Sequence, residues 1–248
     1  MMGSPADTTG APAPYPVLVV HNAYQQRGGE DAVVEAEIDL LRQNGHPVQV
    51  YRRSNDEISQ MPAASAAIQT LWSRRTTHDI RNLIHQHRSA VVHVHNSFPL
   101  VSPSVYWAAA ALNVPVVQTL HNYRLVCPQA LLLRDGKPCE DCVGKVPWRA
   151  VQHACYRGSQ AQSAVVAAML QTHRWLGTWQ HKITRYIALN EFCRDQFIAG
   201  GLPRERIRIK PNLADPRTET HCAAPKSAPL GRQSWAGCGC VRAAIHRQ

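Results

Sequence analysis

The apolar residues of this chain come in two alternating patterns, short solid runs and longer stripes at helical spacing. The first run is Pro16–Val17–Leu18–Val19–Val20–His21–Asn22, a β-branched and aliphatic stretch of the kind expected of a strand buried on both faces. Behind Arg27–Gly28–Gly29–Glu30–Asp31 comes the first stripe, Val34, Ile38 and Leu41 at i, i+4 and i+7, flanked by Val33 and Leu40. Gly45 stands where the C′ residue of that helix belongs. Further runs predict strands at 47–52, 90–96, 115–122, 184–189 and 206–210, the last stopped by Pro211. Helical patterns fall at 63–72, 77–87, 102–112 with Pro103 in its first turn, and 159–179. A last one, 191–199, is capped by Asn190 and ended by Gly200–Gly201. Strands alternating with helices predict an α/β fold, a doubly wound, mainly parallel sheet. No internal repeat is visible.

Composition narrows this picture little. A chain of 248 residues, 44% apolar and 18% charged, is ample for a sizeable core and reads as soluble and globular. No apolar run approaches the ~18 residues that span a bilayer. Residues 1–14 are small, polar and Pro-rich, a disordered leader rather than a secretory signal, so a cytoplasmic domain is expected over 15–215. From 216 to 248 the sequence loses both periods and reads as an irregular tail. The formal charge is +10, and 217–248 holds five cations against Glu219 alone, which leaves +6 to the rest. Such an excess favours an anionic partner: a nucleotide, a lipid pyrophosphate, a membrane surface or nucleic acid.

The candidate chemistry lies at strand ends. In an open parallel sheet, ligands bind outside the carboxyl ends of the strands. Three of the predicted ends carry the same pair, His21–Asn22, His95–Asn96 and His121–Asn122. His93 shares a strand face with His95 by the period of two and is expected simply to pack. His95 and His121 are the residues expected to bond a hydroxylated ligand. Gly28 and Gly29 open the first helix, whose N-terminal N–H groups can hold a phosphate or carboxylate.

A second cluster, Cys127, Cys139, Cys142 and Cys155 with His153 nearby, occupies a Cys-rich insertion at 124–158. The spacing C-x11-C-x2-C-x12-C suits a tetrahedral structural zinc, with a disulfide or free thiols as the alternatives. Cys193 lies on a helical stripe and is expected to pack; Cys222, Cys238 and Cys240 fall in the tail.

The glycine pair entering the first helix, Val91–Val92–His93–Val94–His95–Asn96 and Val116–Val117–Gln118–Thr119–Leu120–His121–Asn122 together resemble the N-terminal half of a family 4 glycosyltransferase. So do Tyr186–Ile187–Ala188–Leu189–Asn190–Glu191–Phe192 and Ile209–Lys210–Pro211–Asn212, and the likeness runs from about Tyr15 to Asp215. The resemblance implies one half of a GT-B fold, two Rossmann-like domains facing across a cleft. It implies transfer of a sugar, with retention and without a metal cofactor, from a nucleotide-sugar to a glycan or lipid-linked acceptor. By the resemblance His95 lies near the transferred sugar and acceptor, and with His121, expected from its own strand end, it forms the candidate catalytic pair. Gly28 and Gly29, with Glu30, Asn96 and Asn122, fall to donor-phosphate and acceptor binding, and Lys210–Pro211–Asn212 matches the linker into the second domain. Peripheral membrane contact follows from a lipid-linked acceptor. The family's donor-binding domain has no counterpart after Asp215. The chain is therefore expected to be truncated before it, with residues from about Thr218 out of frame. The rival reading is a non-catalytic binding module, a zinc knuckle on nucleic acid or on a partner. Against nucleic acid, the cysteine stretch has no RNP-like aromatics and no helix-turn-helix pattern.

Overall fold

The computed structural model describes residues 13–26 and 28–212, so the predicted leader, apart from Ala13 and Pro14, and the predicted tail at 216–248 lie outside the described residues. In chain order the elements are β1 (Val17–Ala23), α1 (Gly29–Gln43), β2 (Val48–Ser54), α2 (Ala63–Leu71), α3 (Arg74–His87), β3 (Val91–Asn96), α4 (Ser104–Ala110) and β4 (Val116–Leu120). There follow a small hairpin of β5 (Leu133–Arg134) and β6 (Lys137–Pro138), then α5 (Trp148–Gln152), α6 (Gln160–Trp175), α7 (Thr178–His181), β7 (Arg185–Ala188), α8 (Glu191–Ala199) and β8 (Ile207–Ile209).

Six strands form one parallel sheet in the order β2-β1-β3-β4-β7-β8. The solid apolar run of β1 follows from burial on both faces. Val17 and Val19 pack under the α1 stripe with Val34 and Ile38. Leu18 and Val20 face the larger cluster, which includes Ile80, Val92, Val94, Tyr106, Leu170 and Tyr186. That face also carries polar atoms, each partnered. Tyr106 Oη donates to Gln118 Oε1 at 2.6 Å, and Gln118 Nε2 donates to the carbonyls of Thr119 at 2.7 Å and His95 at 3.2 Å. The chain leaves β1 for β2 on one side and returns past β1 to β3 on the other. Winding therefore reverses between β1 and β3, the point in such sheets where the loops part and leave a crevice.

The predicted strands and the parallel α/β architecture agree with this, and Gly45 follows α1 with a φ of +80°. Two helices differ. The stripe predicted at 159–179 breaks after Trp175, because Gly177 adopts a φ of +65° and a Cβ there would stand 2.6 Å from the His181 ring. His173 fastens the break, with Nδ1 2.9 Å from Thr178 Oγ1 and Nε2 2.9 Å from the Leu71 carbonyl. The helix predicted at 77–87 starts three residues early at Arg74, since the Ser73 hydroxyl accepts the N–H of Thr76 at 3.2 Å.

Candidate active site

Adjacent strands β1, β3 and β4 end side by side, and their His-Asn pairs meet there. Strand β4 closes at Leu120, so His121 and Asn122 stand one step beyond the sheet. The His95 Nδ1 and His121 Nε2 atoms are 3.0 Å apart, with the two rings stacked at 5.3 Å between centroids. His121 is half-buried, whereas the His95 side chain is fully buried behind it. His93 packs, as its strand face predicts, with Nε2 2.8 Å from Thr119 Oγ1.

The pairs divide the labour unequally. His21 is completely buried, and its Nε2 lies 2.8 Å from Asp31 Oδ1; the other oxygen of Asp31 accepts the Gly28 N–H at 2.8 Å. One carboxylate thus caps α1 and fixes the end of β1. Asn22 Oδ1 accepts from the N–H groups of Leu100 at 3.0 Å and Val101 at 3.4 Å, and its Nδ2 donates to Asn55 Oδ1 at 2.7 Å. Asn96 is buried, donating to the Asn22 carbonyl at 3.0 Å and accepting from Phe98 N–H at 2.9 Å. Its amide therefore shapes the loop after β3 and braces the cleft wall. Asn122 Nδ2 reaches Tyr24 Oη at 3.4 Å and Glu30 Oε2 at 3.5 Å, which brings the end of β4 to the first turn of α1. Gly28 and Gly29 are exposed at that same corner.

Burial sets the charge state of the edge. It drives His95 well below the ordinary imidazole range and His121 down to about 4, with neighbouring histidines adding to both shifts. Both rings are neutral at pH 7, as a contact in which one ring donates and the other accepts demands. Burial, with Asp31 adding to it, pushes the Glu30 carboxyl up to about 8 against the opposing hydrogen bonds of Tyr24 and Asn122. Glu30 is then uncharged at neutral pH.

Two participants escaped the sequence reading. Glu37 Oε2 lies 3.8 Å from His95 Nε2, and Glu37 Oε1 lies 3.2 Å from the Nζ of Lys210, just past β8. Glu37 is three residues beyond Val34 and four before Leu41, a carboxylate inside the apolar stripe, and that misplaced charge was the available signal. Glu37, His93 and His95 bring three ligand atoms within 4.8 Å of one another. The Lys210 ammonium already supplies the counter-cation for Glu37.

Beside the edge lies a cleft of about 310 Å³ between α2, α6 and the loop after β3, lined by Ile58, Met61, Pro99, Leu100, Tyr156 and Val166 among others. The Arg124 guanidinium lies over the rings of Phe98 and Tyr156, 4.4 and 5.0 Å from their centroids.

The sequence profile of Glycosyltransferase Family 4 matches residues 27–218, most of the chain. The chain belongs to glycosyltransferase family 4. A search of curated proteins returned no match. Among solved structures, this family 4 chain is similar in fold to the UDP-GlcNAc 2-epimerase of Neisseria meningitidis bound to UDP-GlcNAc (11% identity, TM-score 0.43, 79% of this chain and 46% of that one). It is similar also to Anabaena HepE in complex with UDP-glucose (14%, 0.41, 80% and 44%) and to S. aureus MnaA with UDP (10%, 0.44, 80% and 44%). The family 4 chain thus spans less than half the length of these structures.

Proposed function

We propose that this chain is the acceptor-side half of a retaining glycosyltransferase, moving a sugar from a nucleotide-sugar to a lipid-linked acceptor. Family membership supports the reaction class, and one observation carries the assignment of the site: the neutral His95–His121 pair at the switch-point edge, 3.0 Å between nitrogens. In the transfer, the bond from the sugar C1 to the phosphate oxygen breaks and the acceptor hydroxyl oxygen bonds to C1 on the same face. The hydroxyl proton goes to the departing phosphate.

Each group at the edge has a part in that step. Positive charge grows on the ring and negative charge on the phosphate, which the first-turn N–H groups of α1 stabilise. Of the two acids in that turn, Asp31 is engaged by His21 and the Gly28 N–H, and Glu30, held neutral by its raised pKa, adds no opposing charge. The Glu37 carboxylate facing His95 favours a proton on His95 Nε2. His95 Nδ1 then accepts from His121 Nε2–H, and His121 Nδ1 keeps a bare lone pair for a sugar hydroxyl. In this reading His121 touches substrate, and His95 and Glu37 position it. No metal enters the step.

The apolar cleft favours a lipid-linked acceptor over a free glycan, with Arg157 at the cleft for its phosphates. Exposed Ile68 of α2, Trp72 just past its end, and Trp175 and Leu176 at the end of α6 suit peripheral contact with a membrane surface. The test is transfer by the full chain, supplied with a family donor-binding domain, from a panel of nucleotide-sugars to a polyprenyl-diphosphate sugar and to the same sugar without its lipid. Turnover with the lipid acceptor, reduced at least about 100-fold in His121→Ala at an unchanged melting temperature, is expected. Equal turnover in the variant would overturn the assignment of His121, and a preference for the lipid-free sugar would overturn the acceptor.

A further inference from the structure

The segment between β4 and α6 holds four cysteines that the sugar-transfer reading does not use. Cys127, Cys139, Cys142 and Cys155 line one small cavity together with Pro128, Leu132, Ala150 and Arg134. All four are unbonded and come from different parts of the segment: Cys139 follows the β5–β6 hairpin directly, and Cys155 follows α5. The hairpin turns at Asp135–Gly136, both at positive φ, and Cys139 N–H is tied to the Leu132 carbonyl at 2.8 Å. The two-residue bridge between Cys139 and Cys142 bends as a turn, with Val143 N–H donating to Glu140 at 3.1 Å and Lys145 N–H to Cys142 at 3.2 Å. Cys155 N–H donates to the Ala150 carbonyl at 2.9 Å.

We propose that these four thiols are the ligands of a structural zinc ion that staples the segment. Zinc takes four thiolates tetrahedrally at about 2.3 Å, from turns and loops rather than from regular strands. A four-thiolate zinc carries a net charge of −2, and the segment 124–158 supplies six cations against three acids, with Arg134 on the cavity wall. The need for a staple is visible in the fold. The segment has only two-residue strands and a five-residue helix, so little regular backbone structure holds its turns in place. It is nonetheless pressed against α8, where a Cβ on Gly144 (φ +67°) would stand 2.8 Å from the Ala199 carbonyl. The sulfurs ring the cavity without meeting: among the described residues, the three ligand atoms within 4.8 Å of one another are those of Glu37, His93 and His95. Binding must therefore draw the loops inward, which makes the ion a folding element of the segment.

The full chain, purified under reducing conditions, is expected to carry about one zinc per molecule by elemental analysis. Cobalt(II) exchanged into it is expected to give the intense thiolate charge-transfer and tetrahedral d–d bands of a four-sulfur set. Cys142→Ser should lower the zinc content at least about fivefold, while Cys193→Ser, in α8 and outside the cavity, should leave it unchanged. If Cys142→Ser fails to fold, mercurial titration of the unaltered chain gives the same reading, with one zinc released as four thiols react. Less than about a tenth of a zinc per chain would overturn the proposal, as would an intact mass short by two hydrogens for each of two disulfides. Neither result touches the sugar-transfer assignment, which is read on His121.

Discussion

The carboxyl edge of the sheet and the cysteine segment both hold several reactive side chains in one place, and they do so by opposite means. At the edge, parallel pairing sets the spacing, with a register shift after Val20 that puts His21 level with Asn96, so residues of neighbouring strands arrive at fixed offsets whether or not a ligand is present. The side chains there are buried and bonded to one another: His21 to Asp31, His95 to His121, Asn96 to Asn22. In the cysteine segment the backbone instead turns through left-handed residues at Ala130, Leu132, Asp135, Ala154 and Arg157 and holds its thiols at the ends of loops. Strand geometry is preorganised; loop geometry is the kind that a bound ion, such as the zinc proposed above, would tighten. A site for transition-state charge needs the first kind, since positioning must precede reaction.

The largest way to break the edge is Asn22→Ala. Removing the amide leaves the Leu100 and Val101 N–H groups and Asn55 Oδ1 buried without their partner. A loss of about 4 kcal/mol in denaturant-unfolding stability is expected. A change under about 1 kcal/mol would mean that the edge is held by register alone.

That residue also marks the limit of what the sequence made legible. Solid runs, the α1 stripe and Gly45 gave strands, helix and parallel sheet, because hydrophobic period is a local property. The convergence of Gly29, His95 and His121 was legible too, since carboxyl ends of parallel strands share an edge. Which histidine reaches solvent was not. His95 and His121 carry the same His-Asn signature, and only the sheet's end at Leu120 puts one behind the other. Asn22 and Asn96 likewise look like ligand groups in sequence, yet their partners are 33 and 74 residues away. The break at Gly177 was missed for the same reason: an isolated glycine in a helical stripe is usually tolerated, and the His173 bridge to Leu71 lies 102 residues off.

A middle-sized effect sharpens the contrast through pH. The folded pKa of His121 is lowered to about 4 from an ordinary 6.5. Between these values the unfolded chain binds a proton that the folded chain refuses. The contribution is whole above pH 6.5 and lost progressively as pH falls to about 4. By linkage this amounts to on the order of 3 kcal/mol. His21 and His95, also lowered chiefly by burial, act in the same direction. Unfolding midpoints measured from pH 7.5 to 4.5 should fall steeply, and His121→Gln should flatten part of that fall. An unchanged slope in the variant would show that His121 titrates normally and is not enclosed by the edge.

The smallest effect is the most specific. Glu37→Gln keeps the shape of the side chain and removes the charge that faces both Lys210 and His95. Lys210 is well exposed, so screening keeps the lost ion pair below about 1 kcal/mol. The tautomer of His95 should respond more visibly than stability does. With the negative charge gone, the preference for a proton on Nε2 over Nδ1 weakens, and the ring's 15N shifts should move from one dominant tautomer toward a mixture. His121 then offers its lone pair only part of the time, so kcat should fall several-fold with KM held. A His95 spectrum indifferent to Glu37→Gln would detach α1 from the histidine pair, leaving the strands alone to orient it.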